Sequence, residues 1–491
     1  MRRYQALISH LESLVRDGTL RVGDRAPSVR QMSREHGASP GTVAHAYELL
    51  QARGYLQPRA RSGFFVSDAW RATDDEQRTS RPPRRATQPD VSQLVFQVLS
   101  AMRRRELVPF GSAFPGSDLF PLRQLARDLA FAASHLDPWS TVEDLPPGNL
   151  ELRRQIARRY RLAGAQLTPE EIVITSGALE GLNLALQVTT RPNDIVLIES
   201  PAFYGCLQAI ESQGRRALEV PTHPRLGIDV GEVARLLEQH DVRACWFMTS
   251  FQNPLGATMP DCERERLVRL LAARRIPLIE DNVYAELYFG RQRSRSAKLH
   301  DREGLVLDCG SFSKTLAPGY RVGWVAGGRF ATELWQRKTM SSLATTIPAQ
   351  AALARYLARG GYDRHLRGVR AQLCRRQRAF EAAMRRHFPP QMKWTRPEGG
   401  YLLWAELPPR VDAIELHRRA LAQGISIAPG PIFSARQDFR HAIRLNYGHA
   451  FTAQSAAALS RLGAIIAAMS ARPAWIPRPG PAREDPIPRR L

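Results

Sequence analysis

Lysine is scarce in this chain. Lys298, Lys314, Lys338 and Lys393 are the only four, so arginine supplies almost all the basic charge. Lys314 lies in the stretch Gly310 to Val325, which reads G-S-F-S-K-T-L-A-P-G-Y-R-V-G-W-V. An apolar run, Leu305-Val306-Leu307, leads into Ser311, Ser313 and Lys314. The Pro318-Gly319 turn then returns the chain into a second apolar run beginning at Arg321, so the stretch reads as strand, polar loop, strand. Arginine keeps its proton, whereas a lysine partly withdrawn from water can lose it and condense with a carbonyl as a Schiff base. Two hydroxyls and an arginine beside such an amine suit a phosphate, and an aldehyde that carries a phosphate is pyridoxal 5′-phosphate. Taken alone, the segment also fits a loop lysine with helix-capping serines.

The elements that must position this loop alternate in type. From about residue 150 to 330, strand candidates at Ile172 to Thr175, Ile195 to Glu199, Ala244 to Thr249, Ile276 to Glu280 and Leu305 to Cys309 are separated by amphipathic stretches such as Glu263 to Ala273. That rhythm predicts an α/β architecture, a largely parallel sheet with helices on both faces, and such sheets bind ligands outside the carboxyl ends of their strands. After the first strand, Ser176-Gly177-Ala178 opens a helix whose N-terminal N–H groups suit a phosphate, or serves as a plain helix cap. The second leads to Phe203, a ring for stacking on a planar cofactor or a core aromatic. The third leads to Asn253, a hydrogen-bond donor or the start of an Asn-Pro turn. The fourth ends in Glu280-Asp281-Asn282-Val283-Tyr284. A carboxylate there needs a partner, which a protonated pyridine nitrogen or a buried arginine would supply, and Tyr284 lies within reach of the ring's phenolic oxygen.

The N-terminal segment has a different pattern. Residues 4 to 18 carry Leu7, Ile8, Leu11, Leu14 and Val15 at helical spacing, Ser28 can cap a short second helix, and Ser39 with Pro40 opens a third that runs to Gly54. Two alternating segments, Tyr55 to Gln57 and Gly63 to Val66, flank the basic Pro58-Arg59-Ala60-Arg61-Ser62. Three helices and a two-stranded wing are the order of a winged helix-turn-helix, though a dimerisation or lid module would also satisfy the pattern. Residues 1 to 66 hold ten arginines against five acidic residues, which suits a DNA backbone.

The whole chain has 491 residues and a formal net charge of +23. Arginine is spread along all of it, so net charge alone does not identify nucleic acid as the partner. No apolar run approaches the ~20 residues of a membrane span, and Met1-Arg2-Arg3-Tyr4 is not followed by a signal-type apolar stretch, so the expectation is a cytoplasmic protein. Five widely spaced cysteines read as buried thiols, with no metal site. Residues 67 to 107 read as a linker, polar and Pro/Arg-rich as far as residue 90 and then a short helical pattern at Val91 to Met102. The globular remainder spans 108 to 470, with a large part at about 150 to 340, and 471 to 491 form a Pro/Arg-rich tail without a core of its own.

Three resemblances sharpen these readings. G-D-R-A-P-S-V-R-Q-M-S-R-E-H-G-A-S-P-G-T-V-A-H-A-Y-E-L-L-Q-A-R-G-Y-L, from Gly23 to Leu56, together with R-S-G-F-F-V at Arg61 to Val66, resembles the DNA-binding domain of GntR-family regulators. That resemblance implies contacts to double-stranded DNA from Arg25, Ser28, Arg30, Ser39, Thr42, Tyr47, Arg61 and Gly63, with Pro40 standing where the family commonly has arginine. The residues at the strand ends, in their order, resemble fold type I, aspartate aminotransferase-like enzymes. By that likeness Lys314 is the catalytic Schiff-base lysine and Asp281 the pyridine partner. Asn253 and Tyr284 bind the phenolic oxygen and Phe203 stacks on the ring. Ser176, Gly177, Ala178, Ser311, Ser313 and Arg321 form the phosphate cup. Pro397 to Tyr401 and Ala442 to Tyr447 resemble the smaller domain of these enzymes, where Arg444 would clamp a substrate carboxylate; a surface arginine is the other reading. Reader, linker and aminotransferase-like domain together resemble the MocR subfamily, as do Phe114 to Pro121 and Pro147 to Arg153. The subfamily implies a head-to-tail homodimer and a DNA-binding regulator that responds to pyridoxal phosphate or an amino compound. The other expectation is a working aminotransferase acting on an amino acid.

Overall fold

The computed structural model describes residues 3–16, 19–21, 23–52, 56–59, 62–66, 77–101, 104–139, 142, 144–290 and 293–471. The expectations for Arg61, for residues 67–76 and for the tail beyond Ala471 lie outside the described residues.

The N-terminal unit consists of α1 (Arg3–Arg16), α2 (Val29–Glu35), α3 (Pro40–Ala52), β1 (Leu56–Arg59) and β2 (Gly63–Val66). Leu7 and Leu11 of α1, Met32 of α2, and Val43, Ala46, Tyr47 and Leu50 of α3 converge on one core that also takes Leu56 and Val66. Both predicted caps are present. Ser28 Oγ accepts from the Gln31 N–H at 3.1 Å, and Ser39 Oγ accepts from the Thr42 N–H at 3.2 Å. Pro40 therefore occupies the first turn of α3, where a missing N–H costs nothing. The strands pair antiparallel, with Leu56 opposite Val66 and Arg59 opposite Gly63.

The larger part is built on an eight-stranded sheet in the order β3-β10-β9-β8-β7-β4-β5-β6. Its strands are β3 (Ile172–Thr175), β4 (Ile195–Ser200), β5 (Arg216–His223), β6 (Gly227–Ile228), β7 (Val242–Phe247), β8 (Leu278–Asp281), β9 (Val306–Ser311) and β10 (Gly323–Ala326). β5, β4, β7, β8 and β9 run parallel, and β10 is antiparallel to both its neighbours. The short loop from Phe312 to Val322 explains the reversal, because a parallel return needs a crossover of a dozen residues or more. Val196 and Ile198 pack on one face against the helices Ala178–Thr189 and Tyr204–Ser212. Leu197 packs on the other against Val230–Gln239 and Asp261–Ala273. A smaller antiparallel sheet, ordered β11-β12-β14-β13, holds β11 (Lys393–Trp394), β12 (Leu402–Glu406), β13 (Ala428–Pro429) and β14 (Ala442–Asn446). The helices Tyr362–His387 and Ala453–Ala471 share a core with it.

The stretch read as a linker is docked from Gln77 onward. Gln77 Nε2 donates to the carbonyls of Lys393 and Trp404, Ser80 Oγ accepts from the Thr222 N–H, and Thr87 exchanges both backbone hydrogen bonds with Ala217. The helix Ser92–Ala101 then buries Val95 and Val98 against the large core, with Glu211 accepting from the N–H groups of Val91 and Ser92. This strap fills the outer edge of β5, of which β6 covers only Thr222 and His223. Backbone pairing of that kind needs no apolar period, so residues 77–90 leave no mark in hydrophobic patterning, whereas the helix Ser92–Ala101 matches the pattern at Val91 to Met102. Among the described residues no helix is long and apolar enough to cross a membrane, and all five cysteines are free thiols.

Close backbone approach fixes one glycine beside the site. A Cβ on Gly323 would lie 2.6 Å from the backbone nitrogen of Ala178 and 2.6 Å from the carbonyl carbon of Gly177, whereas one on Gly319 would meet nothing within 4 Å. Gly323→Ala should therefore destabilise the large domain by about 1–3 kcal/mol, lowering the midpoint of thermal unfolding, while Gly319→Ala leaves it unchanged. Equal midpoints for the two variants would contradict the packing.

Candidate active site and DNA-reading surface

The carboxyl ends of the central strands bring the predicted residues together. Asp281, the last residue of β8, is buried, and its Oδ1 has no hydrogen-bond partner among the described residues. Burial pushes its pKa up to about 7, against the opposing pull of the Val283 N–H and the Lys314 charge. Lys314, three residues beyond β9, keeps some exposure to the cleft. Its Nζ donates to the Ala113 carbonyl at 2.9 Å, and lies 3.9 Å from the centre of the Phe114 ring and 6.0 Å from that of Tyr284. Loss of water pulls the Lys314 pKa down to about 7, although the Asp281 charge acts in the other direction. An amine at that pKa is half neutral near physiological pH, which is what attack on an aldehyde needs.

One end of the cleft is built for an anion. Ser311 Oγ donates to Ser313 Oγ at 2.9 Å, Arg321 Nη1 reaches Ser313 Oγ at 3.4 Å, and Arg321 Nη2 donates to the Ser176 carbonyl at 3.2 Å. Gly177, at φ +89°, lets Arg321 approach, because a Cβ there would stand 2.4 Å from Arg321 Nη2. The N–H of Gly177 is used by the Thr175 carbonyl, and that of Ser176 by Glu180. These two residues therefore offer clearance and a hydroxyl. Ala178 is the first residue of its helix, where N–H groups lack intrahelical acceptors. Thr345, unpredicted, places Oγ1 3.4 Å from Ser176 Oγ.

Arg444 on β14 also lies close enough to act on Lys314, and the structure buries it completely and so removes it from the surface. Its Nη1 donates to Asn253 Oδ1 at 3.1 Å and its Nη2 to the Gly111 carbonyl at 2.5 Å, while Nε has no partner among the described residues. Asn253 thus holds Arg444. Tyr284 is buried and meets Tyr401 edge-on, ring centres 5.4 Å apart. Phe203 is half-buried, 4.8 Å from Tyr204, and seated over Gly205, where a Cβ would come within 2.6 Å of its ring.

Sequence reasoning assigned no role to Ala113, Phe114, Tyr401 or Asn446. The Ala113 carbonyl accepts from both Lys314 Nζ and Tyr401 Oη, and Asn446 Nδ2 donates to the carbonyls of Ser112 and Phe114. A segment from far upstream is thereby laid across the cleft. Backbone carbonyls carry no residue-type signature, so only the motifs containing these residues could have pointed to it.

The donor set fits pyridoxal phosphate. The unpartnered Oδ1 of Asp281 suits a protonated ring nitrogen, Lys314 suits the aldehyde, and the Ser311, Ser313 and Arg321 cluster suits the phosphate. When bound, the group supplies an aldehyde and an electron-withdrawing ring. Asp281 would keep the ring nitrogen protonated, Lys314 would supply an amine able to take and return a proton, and Arg444 would orient a carboxylate.

On the N-terminal unit, Arg25, Ser28, Arg30 and Ser39 are exposed, Thr42 is partly so, and the Arg25 guanidinium lies beside Gly63 of the wing. Tyr47 differs from expectation. Its side chain is buried and its hydroxyl donates to the Pro27 carbonyl at 2.5 Å, so it fixes the entry to α2 and is withheld from DNA.

A winged helix-turn-helix joined to a fold type I domain with an intact lysine site defines a class of protein, and comparisons place the chain within it. The family of bacterial regulatory proteins, gntR family, matches residues 3–66, and aminotransferase class I and II matches residues 144–462. The chain is 44% identical over 467 residues to the uncharacterized HTH-type transcriptional regulator YdcR of Escherichia coli, covering 95% of this chain and 99% of that one. It is 31% identical to the 2-aminoadipate transaminase of Thermus thermophilus, over 75% of this chain and 92% of that one. Among solved structures, the Thermus thermophilus alpha-aminoadipate aminotransferase LysN, complexed with N-(5′-phosphopyridoxyl)-L-leucine, superposes with a TM-score of 0.70 at 29% identity, covering 77% of this chain and 99% of that one. The chain belongs to the MocR subfamily of GntR regulators, with an aminotransferase class I and II domain whose cofactor is pyridoxal phosphate.

The Lys314 amine predicts how loading depends on pH. Uptake of pyridoxal phosphate by the cofactor-free protein should accelerate as pH rises through about 7 and level off above it, because the neutral amine is then fully formed. An ordinary lysine, titrating near ~10.4, would instead give a rate still climbing about tenfold per pH unit up to pH ~9. Stopped-flow absorbance distinguishes the two, and the continued climb would contradict the dry environment described for Lys314.

Proposed function

We propose that this DNA-binding regulator is controlled by pyridoxal phosphate together with an amino compound that carries a carboxylate. The observation that carries the reading is the buried Arg444, held by Asn253 and Gly111 with Nε unspent, in the same cleft as Lys314 and Asp281. A carboxylate docking there competes for groups that now tie the small sheet to the large one. The ligand thereby acquires different affinities for different arrangements of the two domains, which is what a switch requires. We further propose that two chains pair head to tail in the cytoplasm, each reader lying near the partner's aminotransferase-like domain, so that paired DNA half-sites are read together.

A second reading, a working aminotransferase, is favoured by the same completeness: Lys314, Asp281 and Arg444 all stand in one cleft. Sustained turnover with a keto-acid acceptor, coupled with failure to select any DNA sequence, would decide for it.

Duplexes selected by the protein from a random pool provide the test. Their affinity should change by about 5–150-fold, the range of ordinary allosteric coupling, when amino acids are added to the pyridoxal phosphate-loaded protein. In Arg444→Lys the concentration of amino acid needed should rise about tenfold or more through loss of charged hydrogen bonds, with the cofactor still bound. DNA affinity that ignores both cofactor and every amino compound would remove the effector role.

A further inference from the structure

The recognition helix carries a second chemistry that neither the cleft nor DNA binding uses. In α3 the core stripe is Val43, Ala46, Tyr47 and Leu50, and helical spacing puts Gly41, His45 and Glu48 on the opposite side. That is the side a recognition helix presents to a groove. Here it rests on the first turn of the helix Asp261–Ala273 of the large domain. His45 Nε2 lies 2.9 Å from Glu263 Oε1, and Cys262 packs against the reader's core. The His45 ring is held edge-on by Tyr4, ring centres 5.0 Å apart.

Three of these side chains, His45, Glu48 and Cys262, bring one ligand atom each within 4.8 Å of one another. A fourth donor, Glu263, is already in hydrogen-bond contact with His45 and also with Arg266 Nη1 at 2.9 Å. One imidazole nitrogen, one sulfur and two carboxylates form a mixed set of the kind borderline-soft divalent ions take. Zinc–ligand bonds of about 2.0–2.3 Å require the donor atoms to draw together by roughly an ångström, within reach of side-chain rotation in Glu48 and Cys262. Two of the donors come from the reader and two from the large domain, so an ion held here joins the two.

We propose that His45, Glu48 and Cys262, with Glu263 as fourth donor, form an interdomain site for Zn2+ that clamps the recognition helix against the large domain and away from DNA. Cys262 binds as the thiolate and His45 as the neutral imidazole, the protons of both leaving to solvent. The metal and DNA then compete for one face of α3, so each weakens the other's binding by the same factor. Such control stands apart from the pyridoxal phosphate cleft and would operate whatever amino compound that cleft takes.

The test uses the full-length, pyridoxal phosphate-loaded protein. Zn2+ is titrated in competition with a chromogenic chelator, Co2+ is titrated as a spectroscopic probe, and binding to a mixed-sequence duplex is measured with and without saturating Zn2+. Wild type should bind a single high-affinity Zn2+ per chain, show a thiolate-to-cobalt charge-transfer band, and lose about tenfold or more in duplex affinity when Zn2+ is present. Cys262→Ser, a change in the large domain outside the cleft, should bind Zn2+ about 100-fold more weakly, lack the cobalt band and keep its duplex affinity in Zn2+, while its cofactor absorbance stays that of wild type. Glu48→Gln, a reader-side ligand, should give the same loss of zinc affinity. Equal zinc affinity in wild type and Cys262→Ser, a wild-type cobalt spectrum without a thiolate band, or duplex affinity indifferent to Zn2+ would each overturn the proposal.

Discussion

An amine and a carboxylate largely withdrawn from water in one cleft, neither with a full set of partners, are the constraint from which the rest of this structure follows. Burial raises Asp281 and lowers Lys314 toward the same pH, each against the attraction of the other. Two such groups are expensive to hold without a partner. A ligand that offers the carboxylate a cation and the amine an electrophile satisfies both at once. The parallel sheet makes this possible by delivering side chains from separate strands to one edge while its helices keep water from both faces.

Arg444 extends that constraint across the domain boundary. It stands on β14 opposite Trp404 of β12, yet its hydrogen bonds go to Asn253 of the large domain and to the carbonyl of Gly111. The Trp404 carbonyl in turn accepts from Gln77, the first described residue of the strap that leads back toward the reader. Whatever occupies the cleft therefore bears on the small sheet at the strand next to the strap's anchor. On its outer side the reader meets the large domain through His45 and Glu263. The two modules are thus covalently joined and also in contact through a separate patch that needs no residue of the phosphate cup.

Much of this is legible in the sequence. Lys314 stood out because the chain has so few lysines, and Asp281 because a carboxylate ending an apolar strand demands a partner. Strand ends announce themselves through apolar runs, which is why β3, β4, β7, β8 and β9 were found to within a few residues. β5 was missed because Arg216, Glu219 and Pro221 break its apolar run, and it contributes no residue to the cleft. The strap at 77–90 was missed for a different reason: its contacts are hydrogen bonds to backbone groups of β5, β11 and β12, and polar residues make these as well as apolar ones. Tyr47 shows the limit of carrying a role over by resemblance, since an aromatic at helical spacing with its neighbours Val43 and Leu50 belongs to the core stripe. The burial of Arg444 and the crossing of the cleft by Gly111 to Phe114 depend on contacts between residues more than 300 positions apart, which local pattern does not record.

Everything turns on whether the Lys314 amine, and no other, receives the cofactor. Borohydride treatment of the pyridoxal phosphate-loaded protein, followed by peptide mass spectrometry, fixes the cofactor covalently wherever it is attached and locates it by residue. The added mass should fall on the peptide containing Lys314, with Lys298, Lys338 and Lys393 unmodified. A modification on any of those three with Lys314 left bare, or no fixed cofactor at all, would contradict it.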